Sequence, residues 1–373
     1  MISAGEASGD YYAGLLLTEL RRRWPETDFF GCAGPHLRAA GLRPIIRMED
    51  LAVVGIVEVL GHLPRIWRRF RELIGAARSE RPTLAILTDA PDFHFRVAKK
   101  LKRQGIPVVY LVAPQVWAWR EHRVKTMRRI IDQLLCIFPF EEAFFRERNV
   151  PVTYIGHPLA GRVQPTLSRE EFFRKHNIPL DRPLIVVLPG SRPGEVLRHI
   201  PPLVQAAELL STEQPLSFLL VASPHCGTAV FEEPLKGSPI RAIEGDSWNA
   251  LAHCDLALAA SGTVTVEAAL LGAPMVTFYK VTALTYAIGK PLVKVPFFSM
   301  VNLIAGRKIV PELIQDDMTG ERIAAEARPL LDGSPNRAKM KEELAKVAGS
   351  LAGGTDAIQL AADEVEKVMG RCL

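Results

Sequence analysis

The segment Thr88-Asp89-Ala90-Pro91-Asp92-Phe93 follows an apolar run at residues 83–88, so it places carboxylates where a buried strand gives out. At the carboxyl end of a strand in an open α/β sheet, such a group faces the ligand crevice. Asp89 and Asp92 are therefore candidates for a general base that takes a proton from an acceptor hydroxyl. Asp92 suits another duty better, capping the helix that follows Pro91. A second strand-end segment, Leu188-Pro189-Gly190-Ser191-Arg192, supplies a glycine, a hydroxyl and a guanidinium. Arg binds phosphate through two parallel N–H bonds, so this set suits a diphosphate; an ordinary turn with a surface Arg is the plainer alternative. A third, Ser261-Gly262-Thr263-Val264-Thr265-Val266-Glu267, opens an apolar helix. The free N–H groups of a helix start attract phosphate, and Glu267, one turn in, is placed to accept both hydroxyls of a ribose. The competing reading makes Ser261 or Thr263 a cap and leaves Glu267 on a solvated face.

Gly5-Glu6-Ala7-Ser8-Gly9-Asp10 precedes an apolar helical stretch at 13–20. Its glycines let backbone approach a ligand, and its acidic residues suit sugar hydroxyls better than phosphate. A tight turn with Ser8 or Asp10 as helix cap fits equally well. The sequence is neither a dinucleotide-binding GxGxxG nor a phosphate-binding GxxxxGK[ST]. Pro114-Gln115-Val116-Trp117-Ala118-Trp119-Arg120 puts two Trp before a basic stretch, for lipid, sugar or base stacking, with core packing the commoner fate of one of them. Residues 59–74 set Leu60, Leu63, Trp67, Phe70 and Ile74 at helical spacing among Arg65, Arg68, Arg69 and Arg71. That pattern suits a membrane surface or an acyl chain, and equally a surface helix of an ordinary domain. The histidines form no HxH or HExxH pattern and there is no Asp-x-Asp, so no metal or other cofactor is expected. His157, in Gly156-His157-Pro158, stays open between catalysis, nucleotide contact and a turn.

To bring such segments together the chain needs strands that end beside one another. Short apolar runs at 83–88, 107–111, 134–138 and 152–155 recur in the first half, and at 184–188, 217–222, 256–259 and 275–279 in the second, with helical patterns between most of them. This alternation predicts an α/β protein of two doubly wound, mostly parallel domains, with the cleft between them as the default site. The expected boundaries are 1–165 and 166–336, with a linker at about 161–168 and a helical tail, 337–373, that completes the first domain. Only residues 1–4 precede the first glycine turn, so the first strand is short or the start codon lies upstream.

Composition narrows the classes. At 373 residues, 48% hydrophobic and 23% charged, the chain is too long for one core and too apolar to be disordered. Five scattered cysteines, Cys32, Cys136, Cys226, Cys254 and Cys372, fit a reduced cytosolic protein. There is neither a signal peptide nor an uncharged apolar run of the ~20 residues a bilayer span needs. Residues 1–165 hold 25 Lys and Arg against 17 Asp and Glu, a net +8, and the remainder 21 against 24, a net −3. The first half therefore attracts something anionic.

The set GEASGD, AVVGIVEVLG, DAPDF, VWAWR, PFE, IGHPL, LPGSR, SGTVTVEAAL and NLIAGR resembles, in content and order, the lipid-A-disaccharide synthase family, from Gly5 to about Asp317. The resemblance implies a GT-B architecture of two Rossmann-like domains and an inverting, metal-independent glycosyl transfer. It implies UDP-2,3-diacylglucosamine as donor, 2,3-diacylglucosamine 1-phosphate as acceptor, and the β-1′,6-linked disaccharide 1-phosphate and UDP as products. It implies a peripheral protein on the cytoplasmic face of the inner membrane and allows a homodimer. By position, Asp89 matches the family's general base and Arg192 an essential residue assigned here to the diphosphate. Gly190, Ser191, Ser261, Gly262, Thr263 and Glu267 match nucleotide-binding positions. Glu6 and Ser8 match sugar contacts, and Asn302 and Arg307 lie in a further motif expected at the substrate.

Two departures stand out. His94 follows DAPDF where the family usually has Asn, which puts the polar contact beside the base in question. The Trp loop reads APQVWAWR where SPSVWAWR is usual. Competing readings are a UDP-N-acetylglucosamine 2-epimerase on the same architecture, a GT-B transferase with another lipid-linked acceptor, and a basic RNA- or membrane-binding module. The last would have no use for a cleft acid, and no RNA-binding signature is present, so no nucleic-acid partner is expected.

Overall fold

In the computed structural model, residues 1–51, 56–223, 226–331 and 333–371 are described, with backbone only at 56–63 and 288. The chain forms two compact units, Met1–Pro158 with Leu351–Leu373, and Leu159–Ser350.

The first unit holds seven strands: β1 (Ile2–Ala4), β2 (Phe30–Ala33), β3 (Arg43–Arg47), β4 (Ala85–Thr88), β5 (Val108–Leu111), β6 (Gln133–Cys136) and β7 (Val152–Tyr154). They pair in the order β3-β2-β1-β4-β5-β6-β7, all parallel. The central strands read AILT, VVYL and QLLC and are buried throughout, as strands covered by helices on both faces must be. The order reverses between β1 and β4, which pair from Ile2 with Ile86 to Ala4 with Thr88. The loops leaving these two strands therefore diverge to opposite faces and open the crevice in which such sheets bind ligands.

The second unit repeats the scheme with six strands, β8 (Leu184–Leu188), β9 (Ser217–Ala222), β10 (Ile240–Glu244), β11 (Leu256–Ala260), β12 (Met275–Tyr279) and β13 (Glu312–Ile314). Their order is β10-β9-β8-β11-β12-β13, again parallel. Here the reversal lies between β8 and β11, the strands that end in LPGSR and SGT. The expected GT-B class, two Rossmann-like doubly wound domains, describes both sheets.

The chain passes from first to second unit at 158/159, ahead of the expected boundary at 165, and returns at 350/351. The expected tail 337–373 is divided. Helix Pro335–Leu351 stays with the second unit, where Arg337 pairs with Asp255 and the Met275 N–H reaches the Met340 Sδ. Helix Ala357–Gly370, capped by Asp356, completes the first unit: Asp363 and Glu366 pair with Arg23, and Thr153 Oγ1 donates to Glu364. At the end of the expected linker, Ser168 and Glu171 form a capping box that starts a helix of the second unit.

Helix Ile56–Glu80 covers the 59–74 pattern. Phe70 and Leu73 are buried, Trp67 is 54% exposed and stacks on Phe70, and the side chains of Leu60 and Leu63, with the AVVG of AVVGIVEVLG and the side chains of the rest of it, lie outside the described residues. No helix among the described residues is long and apolar enough to cross a membrane.

Candidate active site

In the first unit the site is built on the β1 and β4 loops. Asp89 and Ala90 both take left-handed backbone, φ +51° and +36°, just before Pro91 begins helix Pro91–Lys102. Non-glycine residues pay of order 1–3 kcal/mol for such conformations and keep them only where the surroundings insist. Here the Asp89 carbonyl accepts from the Tyr110 hydroxyl at 2.6 Å and from His94 Nδ1 at 2.9 Å. Its carboxylate turns the other way, into the start of helix Ala7–Arg23, where Oδ1 accepts from the Gly5 N–H at 2.6 Å. Oδ2 is buried and has no hydrogen-bond partner among the described residues. Burial, with the Glu6 carboxylate beside it, holds the Asp89 pKa well above the usual carboxylate range, against the pull of the Gly5 and Glu6 N–H groups. A carboxyl tuned in this way suits proton transfer.

The glycines of GEASGD make room for this carboxylate. A side chain at Gly9 would strike Asp89 Oδ2, and one at Gly5 would strike the Ala90 Cβ. Asp10 does something the sequence did not reveal. Fully buried, it accepts from the Gly34, His36 and Leu37 N–H groups and so anchors the start of helix Pro35–Ala39. Neither Asp10 nor Glu6 caps helix Ala7–Arg23 through its side chain, and Glu6 and Ser8 remain exposed at its start.

Asp92 is no base. It lies exposed and pairs with Arg120 and Arg123, which lower its pKa against a partial desolvation. The question raised by His94 has an answer. His94 is fully buried, its Nε2 meets Ser3 Oγ at 2.8 Å, and burial pushes its pKa down to about 4. It supports the Asp89 peptide from behind. Of the two Trp, Trp117 is core, donating to buried Glu141 at 3.0 Å, while Trp119 is 43% exposed under the Arg120 guanidinium. His157 is buried against Tyr12 and Phe138, with its pKa lowered by burial to about 3.

In the second unit, Gly190, Ser191, Ser261, Gly262, Thr263 and Glu267 line one cavity of about 390 Å³. Four of those six come from the two loops at the sheet's reversal, and Thr263 and Glu267 from the helix Thr263–Leu270 that follows the second loop. Gly190, at φ +116°, permits the tight exit from β8. His199 fixes that exit: its Nδ1 donates to the Pro189 carbonyl at 2.7 Å and its Nε2 accepts from the Lys280 N–H at 3.0 Å. Arg192 directly precedes helix Pro193–Ser211 and donates to Glu195, which also accepts from the Tyr279 hydroxyl at 2.8 Å. Glu267 accepts from Trp248 Nε1 at 2.9 Å, and burial raises its pKa. Ser261 Oγ donates to the Phe298 carbonyl.

Sequence reading missed Glu195, Ser223 and Ser247 in the same cavity. Ser223 directly follows β9 and its buried Oγ has no partner among the described residues; position after a strand was the available signal. Asn302, expected at the substrate, lies away from this cavity. It is fully buried and its amide is spent on the fold, donating to the Val310 carbonyl and Glu312 and accepting from the Ile309 and Val310 N–H groups. Arg307 is half-exposed and pairs with Glu343. Among the described residues no group of three His, Cys, Asp or Glu is arranged to hold a metal.

A family model describing lipid-A-disaccharide synthetases matches residues 1–358. The chain belongs to the lipid-A-disaccharide synthase family. It is 62% identical to the lipid-A-disaccharide synthase of Solibacter usitatus, over 99% of this chain and 97% of the relative. It is 41% identical to that of Myxococcus xanthus, over the same shares. Membership makes it a glycosyltransferase of lipid A biosynthesis. Among solved structures, it resembles the UDP-GlcNAc 2-epimerase of Neisseria meningitidis bound to UDP-GlcNAc, with a TM-score of 0.68 over 98% of this chain and 99% of that one, at 13% identity. MurG of Acinetobacter baumannii aligns at TM-score 0.56 and 16% identity, over 98% of this chain and 99% of that one. At such identities the likeness is one of fold.

Proposed function

We propose that the chain transfers 2,3-diacylglucosamine from UDP-2,3-diacylglucosamine to the 6-hydroxyl of 2,3-diacylglucosamine 1-phosphate, with inversion, giving the β-1′,6 disaccharide 1-phosphate and UDP. The observation that carries this reading is the cavity of the second unit, lined by six residues the family's motifs assign to the nucleotide. Gly190, Ser191, Gly262 and Thr263 offer N–H groups to the diphosphate, Arg192 leaves Glu195 to neutralise it, and Glu267 takes the ribose.

Asp89 is the base. Its Oδ2 takes the acceptor's proton as the acceptor O6 bonds to the donor C1, and the bond from C1 to the diphosphate breaks with its electrons leaving on UDP. Glu6 and Ser8, exposed beside Asp89, contact a sugar. Asp89 belongs to the first unit and the nucleotide cavity to the second, so the reaction needs both. The first unit takes the acceptor, and its basic surface with the exposed Trp67 rests on the cytoplasmic face of the inner membrane.

The test is a transfer assay in detergent micelles with both acylated substrates and EDTA. Disaccharide and UDP appearing together support the reading, its substrates and the use of protein groups at the diphosphate. No product from folded protein refutes the substrates, and UDP-N-acetylglucosamine alone is then assayed for epimerisation.

A further inference from the structure

The Asp89 carbonyl has two lone pairs and both are taken, by the Tyr110 hydroxyl and by His94 Nδ1. A carbonyl only accepts, so His94 carries its proton on Nδ1, and its Nε2 accepts from the Ser3 hydroxyl. Two elements thereby grip one peptide group, β5 through Tyr110 and helix Pro91–Lys102 through His94, and β1 steadies the histidine through Ser3. Tyr110 and His94 are both fully buried. The gripped group belongs to the first of two consecutive left-handed residues. Rotating it would swing the carboxylate out of its place against Gly5 and Gly9.

We propose that His94 and Tyr110 are positioning residues of the transfer reaction, holding the Asp89 carbonyl so that its carboxylate stays aimed and shielded at the start of helix Ala7–Arg23. This rests on Asp89 being the base. Among the described residues, the groups that act on the carboxylate are Glu6 and Asp10 at the start of that helix, Cys32 on β2, Tyr110 on β5 and His94; none of these is a cation at neutral pH, so shielding keeps the carboxyl protonated to higher pH than water would. A loosened clamp lets water reach it.

The experiment compares Y110F, H94F, H94N and Y110F/H94N with the native enzyme, reading kcat, donor KM, the pH profile of kcat/KM and thermal melting. Y110F and H94F are each expected to lower kcat about ten-fold with donor KM within two-fold, as a displaced reacting group does. The acidic limb of kcat/KM moves to lower pH. H94N, whose amide can still donate to the Asp89 carbonyl, recovers most of kcat, and the double variant falls below either single one. An unmoved limb overturns the proposal, whether kcat is unchanged or falls only with the amount of folded protein. D89N serves as the control for the underlying reading. If D89N retains transfer, Asp89 is not the base and both readings fall; if D89N is inactive while the clamp variants keep native kcat and limb, only the clamp falls.

Discussion

A methyl group added at Gly9 would lie 1.6 Å from Asp89 Oδ2. Two residues eighty positions apart thus share one space, and only the absence of a side chain on the first admits the carboxylate of the second. G9A is expected to force Asp89 out of place and lower transfer at least about 100-fold. UDP binding should survive, because the nucleotide cavity is lined by the second unit alone. Transfer rates and calorimetric UDP titration check both halves, and native activity in G9A would show that the packing does not matter.

D89N keeps the shape of the side chain and removes its basicity. Transfer should drop by about 10²–10⁴-fold, the range that general bases contribute. UDP affinity should hold within two-fold by titration. A folded D89N protein that had lost UDP binding would contradict the assignment.

Arg192 stands at the mouth of β8, paired with Glu195. R192A should weaken UDP binding by about 1.5–3 kcal/mol, the worth of a charge-assisted hydrogen bond. R192K should recover only part of this, since an ammonium cannot grip a diphosphate through two parallel bonds. Isothermal titration of UDP against the three proteins decides it.

Asn302→Ala removes four buried hydrogen bonds and touches no ligand cavity described above. The expected loss is about 3 kcal/mol of stability, read by urea unfolding, with KM unchanged. A raised KM at native stability would return Asn302 to the substrate.

The buried His94 makes stability depend on pH. Its folded pKa, about 4, lies below the 6.5 of an unfolded histidine, so the unfolded chain binds more protons between those values. Its contribution is complete above pH 6.5 and is lost as the pH falls to about 4, some ~3 kcal/mol in all. Asn does not titrate. H94N should therefore gain on the native protein by about that amount between pH 7 and pH 4, measured as the difference in unfolding free energy.

Much of this was readable in the chain. Buried parallel strands are continuous apolar runs, so β4, β5, β6, β8, β9, β11 and β12 stood out, as did β7, a half-buried edge strand that runs on into apolar Ile155. Strands β3 and β10, RPIIR and IRAIE, escaped notice because as sheet edges they keep exposed polar positions. The cavity of the second unit was legible for a related reason: its glycines and hydroxyls directly follow apolar runs. The bonds that Asn302 makes within the fold were not legible, because burial is invisible in one sequence. Asp10 and His94 act on partners 24 and 91 residues away, Gly34 and Ser3, pairings that only the strand order β2-β1-β4 reveals.

The return of helix Ala357–Gly370 to the first unit has a consequence for biosynthesis. The ribosome releases β1 through β7 early, yet the helix that packs on β5 and β6 is encoded after the whole second unit. Domains that are contiguous can finish folding as they emerge. This first unit cannot; its apolar surface must wait through the whole translation of the second, and that interval is when the nascent chain has most need of a chaperone.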